Sequence, residues 1–575
     1  MLECTLQTGN AMNTQIELLP VRFPKEAYQF GQRSDGEIHG VVLTRPHVVE
    51  LILDLAGYKT GDDLTSLRLL EPSCGHGAFL LPAVKRLLET LRHSDGKLSN
   101  LKNAITAFDI DAGHVAKTKQ ALTELISSYG FNFEESTALV NGWVFEGDFL
   151  LADISSHFDV VVGNPPYIRI EQISPQLQSE YRRRYSSLYD RADLYVAFIE
   201  KSLSLLSSKG TLSFICADRW ILNRYGAPLR EKLSNGFRVQ TYIDLHTASP
   251  FDSEVIAYPS IFVISLGATD HVNVFSLKTA APRECELVRL ALDGRSISDE
   301  AVTFAAYDKW FTGGDPWTLS SPEQLKALRD LESRFQSLEA DNTTQVRIGV
   351  ATGCDKLYIV DDSLPVEKSR LVPLVMRADL DSGKVRHSGK CVLNTFEDGG
   401  GVIDLAKYPK LRKYFDENDA EIRKRHVAKK NGNGWFRTID RVYPELVKKP
   451  KLLIPDIAGA NEVTFDLGKY HPHHNLYYVV SDTWDLEVLG GLLSSRVALF
   501  FVWSYAVKMR GGYLRFQAQY LRRIRVPRPS DLTKELQMKL KAAFRERDFE
   551  ALDRLALQAY KLKTLPDFDF VDTRA

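Results

Sequence analysis

Cysteine is scarce in this sequence: Cys4, Cys74, Cys216, Cys285, Cys354 and Cys391 are scattered over 575 residues, with no Cys-x-x-Cys pair. That scatter excludes a disulfide framework and a cysteine-built zinc site, and a reducing cytoplasm fits it best. No apolar run is long enough to span a bilayer, and no charged-then-apolar leader stands at the N-terminus. Two glycine signatures are missing as well. Without Gly-x-Gly-x-x-Gly or Gly-Lys-Ser/Thr, neither a dinucleotide fold nor a phosphate-binding P-loop has the residues it needs. His471, His473 and His474 lie close together, but no acidic or Cys partner stands at ligand spacing, so no metal is expected.

Net charge is also nearly absent, at −1, but it is unevenly spread. Residues 341–575 carry 40 Lys and Arg against 31 Asp and Glu, while residues 1–340 carry 33 against 43. The C-terminal part is therefore the candidate nucleic-acid face. Its basic residues are interleaved with glycines and aromatics, around Asn431-Gly432-Asn433-Gly434-Trp435-Phe436 and around Gly511-Gly512-Tyr513. Arg437, Arg441, Lys508, Arg510 and Arg515 are the candidate phosphate contacts there. A hydrophobic content of 44% is enough for two packed cores.

What is present centres on Phe158-Asp159-Val160-Val161-Val162-Gly163-Asn164-Pro165-Pro166-Tyr167. The β-branched run reads as a buried strand of a parallel sheet that stops at Gly163. Two successive prolines fix φ and remove two donors, so the loop is stiff and its carbonyls remain acceptors. Asn164 adds a side-chain acceptor and Tyr167 a flat ring. Such a corner suits a planar substrate bearing an amino group, although on its own it reads equally as a tight turn.

Upstream, Leu67 to Pro72 reads as a strand and Ser73-Cys74-Gly75-His76-Gly77 as a turn into a helix from Ala78. The glycines allow close backbone approach, and the helix start offers unpaired N–H groups. Asp109 ends a second strand, where a carboxylate can accept from ribose hydroxyls. Gly147-Asp148-Phe149 ends a third, with Asp148 suited to an adenine amino group and Phe149 to packing on its ring.

The segments Val42-Leu43-Thr44-Arg45-Pro46-His47, Glu71 to Gly77, Asp109, Asp148-Phe149 and Asn164 to Tyr167 stand in an order that resembles a known family. It is that of the S-adenosylmethionine-dependent amino-methyltransferases, within them the DNA adenine methyltransferases of the gamma arrangement. The family's Thr-Pro pair is here Thr44-Arg45, with Pro46 one place later. Val346-Arg347-Ile348-Gly349-Val350-Ala351-Thr352-Gly353 resembles the opening of the family's recognition domains.

The resemblance implies an α/β fold: a Rossmann-like, doubly wound methyltransferase sheet, then a C-terminal mixed α/β target-recognition domain. It implies S-adenosylmethionine held by Thr44, Glu71, Cys74, Gly75, Gly77, Asp109, Asp148 and Phe149. It also implies methyl transfer to N6 of an adenine flipped from double-stranded DNA at Asn164, Pro165, Pro166 and Tyr167. Phe251 is the candidate second stacking ring, or else a core phenylalanine at a strand start. Tyr181-Arg182-Arg183-Arg184-Tyr185 reads as a phosphate contact or a solvated helix face.

The expected organisation is an extension over 1–36, a catalytic domain over 37–270, a connection over 271–340, a recognition domain over 341–530 and a helical tail over 531–575. Within the connection, 310–317 is expected as a turn. The extension is too short for a nuclease, so a separate cognate restriction endonuclease would be another polypeptide. Glutamine methylation of a protein, RNA adenine methylation and a non-catalytic DNA-binding module are the rival readings.

Overall fold

The computed structural model describes residues 43–570 apart from 95, 253–257, 309, 312, 319–320, 459–461, 507–512 and 569. The expected extension over 1–36, and Lys508 and Arg510 with it, lie outside the described residues. The chain divides into two units, Met1–Thr318 and Leu319–Ala575.

The first unit is built on a nine-stranded sheet. Its strands are β1 (Leu69–Glu71), β2 (Ile105–Asp109), β3 (Val144–Glu146), β4 (Phe158–Gly163), β5 (Leu206–Ala217), β6 (Phe237–Asp244), β7 (Pro259–Leu266), β8 (His271–Leu277) and β9 (Val302–Asp308). They lie in the order β3-β2-β1-β4-β5-β7-β6-β8-β9. β1 pairs in parallel with both β2 and β4, Leu69 lying between Ile105 and Val160. The chain fills one side of β1 and then crosses to the other. Such a reversal leaves a crevice beyond the carboxyl ends of the strands, where ligands bind in doubly wound sheets. Val160, Val161 and Val162 are buried because a parallel sheet is covered on both faces, which is why the run is continuous rather than alternating.

Local sequence starts the covering helices. Pro46 opens α1 (Pro46–Leu55), whose apolar residues are almost all buried. The helix after the glycine turn, α2 (Leu80–His93), buries Leu80, Ala83, Val84, Leu87, Leu88 and Leu91 at helical spacing. It starts two residues later than expected, because Gly75 to Phe79 form turns first. Asp111 caps α3 (Ala112–Ser128) by accepting from His114 N, and Asn132 caps α4 (Phe133–Asn141). α5 (Pro175–Arg184) and α6 (Tyr195–Ser204) follow the Asn-Pro-Pro-Tyr corner.

Residues 271–308, expected as part of a connection, instead extend this sheet: β8 pairs in parallel with β6, and β9 antiparallel with β8. The expected turn falls at Gly313 to Asp315, and the aromatics that flank it are core. Trp310 and Trp317 are fully buried, Phe311 stacks on Trp317 at 3.8 Å, and Trp310 Nε1 donates to the Thr318 carbonyl at 2.7 Å. Glycine and proline in that stretch signal the turn, while Trp310 packs on Tyr242 of β6 and Trp317 on Trp220.

The second unit begins with the helix Pro322–Arg334, capped by Ser321. One of its sheets joins Gln345–Ile348, Leu476–Val480, Lys451–Pro455 and Thr464–Asp466; another joins Ile359–Asp361, Lys390–Leu393, Leu371–Val375 and His471–Pro472. The expected tail is two helices, Lys534–Glu546 and Phe549–Ala559, whose Leu540, Leu552 and Ala556 share a core with Leu489, Leu492 and Phe500. Among the described residues no single helix is long and apolar enough to cross a membrane. Leu486–Leu493 and Arg496–Tyr505 are apolar together but bent by 60°, and both are buried in that core.

Candidate active site

Four strand ends place the site. The turn after β1 is held from β2: Gly75 N donates to Asp109 Oδ2 at 2.8 Å, while Thr118 of α3 donates to the Gly75 carbonyl at 2.8 Å. Gly75 and Gly77 have φ of +51° and +83°, the left-handed region that glycine enters without strain. A Cβ on Gly77 would press on Thr118 Cγ2 at 3.2 Å. Asp109 Oδ1 accepts from Asp111 N at 2.9 Å and faces His114 Nδ1 at 3.2 Å. The carboxylate expected to hold ribose therefore also shapes the glycine turn, through bonds that strand spacing does not reveal.

Glu71, at the end of β1, is 1% exposed, and its Oε2 has no partner among the described residues. Burial, with Asp109 nearby, pushes its carboxyl well above the usual carboxylate range. Cys74 is buried beside it and burial keeps its thiol protonated. An orphaned buried carboxylate oxygen is a costly arrangement that a cationic group such as an ammonium relieves.

After β3, Asp148 Oδ1 accepts from Leu150 N at 2.8 Å and Oδ2 from Tyr181 Oη at 2.6 Å. Burial raises the Asp148 pKa against those two bonds. Phe149 is 2% exposed, its ring packed between Phe108 and Phe198 at 5.8 and 5.4 Å. Both residues are thus built into the wall of the unit. Lys201 of α6, which sequence reading missed, anchors this wall: its ammonium donates to the Phe149 and Ala152 carbonyls and lies 4.8 Å from the Phe149 ring centroid. Only the apolar company of Lys201 in Tyr195-Val196-Ala197-Phe198-Ile199 hinted that it is buried.

Burial pulls Lys201 down to about 8. A lysine whose folded pKa lies below its unfolded value binds fewer protons when folded, so its contribution makes stability rise as pH climbs from about 8 toward the unfolded value. We expect Lys201→Met to remove a slope approaching about 1.4 kcal/mol per pH unit between pH 8 and 9.5, measured as the difference between denaturation series of the two proteins. Equal slopes would exclude this placement of the charge.

After β4, Gly163 is followed by the proline-braced corner. Asn164 Nδ2 donates to Thr44 Oγ1 at 3.4 Å, and the Asn164 carbonyl accepts from Ser73 Oγ at 3.2 Å. Sequence reading left every carbonyl of this loop available, but Ser73 takes that one. Pro165 is buried and Pro166 and Tyr167 are partly open. The Tyr167 hydroxyl is sealed without a partner among the described residues, and its ring lies edge-on to Phe251 at 6.3 Å. Phe251 is 4% exposed and bridges Thr44 as an antiparallel pair. Arg45 completes the frame: its N donates to the Pro250 carbonyl and its Nε to the Phe251 carbonyl, each at 3.0 Å. The arginine in place of the family's proline pins the Thr44 segment to Phe251.

The Tyr181–Tyr185 cluster divides by side. Its tyrosines point inward, onto Asp148 and the Leu150 carbonyl. Arg183 and Arg184 pair with Glu180 at 2.7 and 2.6 Å, and Arg182 donates to the Asp190 carbonyl. Arg182 and Arg183 are exposed on this face. At the same sheet edge Asp218, just after β5, accepts from Tyr242 Oη at 2.6 Å and meets His246 Nε2 at 2.8 Å, a buried network with no sequence signal.

In the second unit the basic cluster is partly structural. Arg425 is buried, donating to the Ile422, Thr352 and Trp435 carbonyls and to Tyr358 Oη. Lys451 is fully buried against Asp466 at 2.7 Å. Arg515 is ion-paired with Asp456, and Arg437 and Arg441 donate to carbonyls of neighbouring turns. Lys424, Lys429, Lys430, Lys448 and Lys449 remain exposed.

A doubly wound sheet with a glycine turn, an acidic second strand and an Asn-Pro-Pro-Tyr corner at one edge defines a methyltransferase of the amino-group class. Residues 82–251 match the Eco57I restriction-modification methylase family, and residues 404–526 the TaqI-like C-terminal specificity domain. The Type II methyltransferase M.BstVI of Geobacillus stearothermophilus is 42% identical over 540 residues, covering 91% of this chain and 96% of that protein. M.PaeR7I of Pseudomonas aeruginosa is 44% identical over 535 residues, covering 92% of each. Among solved structures, the Type IIL restriction-modification enzyme MmeI in complex with DNA matches in fold, with a TM-score of 0.58 at 12% identity over 91% of this chain and 73% of that one. This chain belongs to the Type II methyltransferases of restriction-modification systems, in the gamma arrangement that its motif order indicates.

Proposed function

We propose that this protein transfers a methyl group from S-adenosylmethionine to the exocyclic N6 of an adenine rotated out of double-stranded DNA, as the modification activity that protects a site from a separate restriction endonuclease. The carrying observation is that Thr44, Asn164, Tyr167 and Phe251 converge beside the turn that Asp109 holds after Glu71.

The residues present fit the cofactor: the unpartnered Glu71 oxygen suits its ammonium, and Gly75 and Gly77 leave the backbone of the turn open to close approach. Asp109 and Asp148 would hold ribose and adenine with the lone pairs their internal bonds leave over. When bound, S-adenosylmethionine supplies an electrophilic methyl group on a sulfonium.

The exocyclic amine is a poor nucleophile because its lone pair is delocalised into the ring. The Asn164 side-chain oxygen and the Pro165 carbonyl accept its two hydrogens, drawing the nitrogen toward tetrahedral geometry and aiming its lone pair. Thr44, by accepting from Nδ2, sets which end of the Asn164 amide does this. Positioning and fixed dipoles do the work: as the N–C bond forms and the S–C bond breaks, the nitrogen becomes acidic and sheds its extra proton to water, so no strong base is needed. Flipping the base costs a few kcal/mol, offset by stacking on Tyr167 that is worth roughly 1–3 kcal/mol.

The test offers cofactor labelled in its methyl group to DNA, RNA and protein, followed by nucleoside analysis of the product. N6-methyladenine in duplex DNA is expected; N4-methylcytosine, or label in RNA or a glutamine side chain, would overturn the reading.

A further inference from the structure

We propose that Asp355, His473 and His474 of the second unit form a binding site for a divalent metal ion of the zinc type, which ties the turn over residues 351–355 to the segment over 471–474. The three side chains each offer a ligand atom, and these atoms lie within 4.8 Å of one another. No sequence spacing announces the trio, since Asp355 stands 118 residues before His473. Two imidazole nitrogens and one carboxylate oxygen are the donor set that suits zinc and its borderline neighbours, with a fourth position left for water.

The frame is already built around them. Val350 bridges His473, the backbones of His473 and His474 donate to the Val375 and Val350 carbonyls at 2.9 and 3.0 Å, and Gly349 passes so close that a Cβ there would sit 2.2 Å from the His473 carbonyl oxygen. Thr352 Oγ1 orients the Asp355 carboxylate through Oδ1 at 2.6 Å, leaving Oδ2 toward His473 Nε2 at 3.0 Å. A tetrahedral ion with bonds of about 2.0–2.1 Å sets its ligands roughly 3.3 Å apart, a separation that Asp355 Oδ2 and His473 Nε2 already approach, so His474, the more open of the two histidines, is the one that turns in.

A second observation points the same way. His473 is 5% exposed, so packing fixes its ring before any ion arrives. Its Nε2 meets Asp355 Oδ2 at 3.0 Å and is therefore the nitrogen offered to an ion at this place. The rings of His473 and His474 lie 4.0 Å apart, so both imidazoles face one small space.

The test uses tag-free, full-length protein stripped with a chelator, then titrated with Zn2+ by calorimetry and with Co2+ by visible absorption. Wild type is expected to take up one equivalent, to show the intense Co2+ bands of a low-coordinate site, and to unfold at higher temperature with Zn2+ present. His474→Ala and Asp355→Asn, each checked for folding by circular dichroism, are expected to bind at least tenfold more weakly and to lose the thermal shift. No uptake by the wild type, or uptake unchanged in both variants, overturns the site.

Discussion

Replacing Asn164 by alanine is expected to lower methyl transfer by roughly 100- to 1,000-fold, the range found when one pre-positioned polar group is removed from an active site. Cofactor and DNA binding should persist, because the Gly75 turn is held by Asp109 and Thr118 and the Thr44 segment by Arg45, none of which needs the Asn164 side chain. Equilibrium binding of each ligand and single-turnover methylation separate these two quantities. Turnover within a few-fold of wild type would remove Asn164 from the chemistry; a parallel loss of cofactor binding would make it part of the cofactor pocket instead.

The second large effect concerns stability. Asp466→Ala is expected to destabilise the second unit by about 3–5 kcal/mol, because it strands the Lys451 ammonium in the interior. Both side chains of that pair are almost entirely buried, at 0% and 2%. Asp466 also accepts from Lys469 N at 3.0 Å and Tyr470 N at 3.2 Å, so the turn leaving its strand loses its brace as well. The double variant Asp466→Ala with Lys451→Met should recover much of the loss, since it removes the unpaired charge along with its partner. Denaturant unfolding of the full-length chain followed by tryptophan fluorescence measures both; a single variant within 1 kcal/mol of wild type, on the scale of an exposed ion pair, would contradict the buried placement.

The same pair shows where sequence reading failed. Lys451 and Arg425 add to the basic balance of residues 341–575 that marks a candidate nucleic-acid face, yet both are interior groups with internal partners. Composition records the sign of a charge but not its depth. Phe251 kept two readings in the sequence, and the structure sets it both in the core and against Tyr167. Glycine and proline announce the turn at 313–315, but the burial of Trp310 and Trp317 on either side of it depends on Tyr242 of β6 and on Trp220, far away in the chain.

By itself the sequence determined the serial order of strands and turns, the class of sheet, and the positions of Gly75, Asp109, Asp148 and Asn164 at strand ends. These follow from neighbouring residues alone: β-branched runs, glycines at positive φ and prolines that stop a strand. Tertiary structure alone decided the partners, among them Tyr181 on Asp148, Lys201 on the loop after Asp148, Arg45 on Phe251 and Asp355 on His473. Each joins residues that are distant along the chain and become neighbours only once the order and register of strands are set, because side-chain reach is a few ångströms in space and carries no record of separation along the backbone.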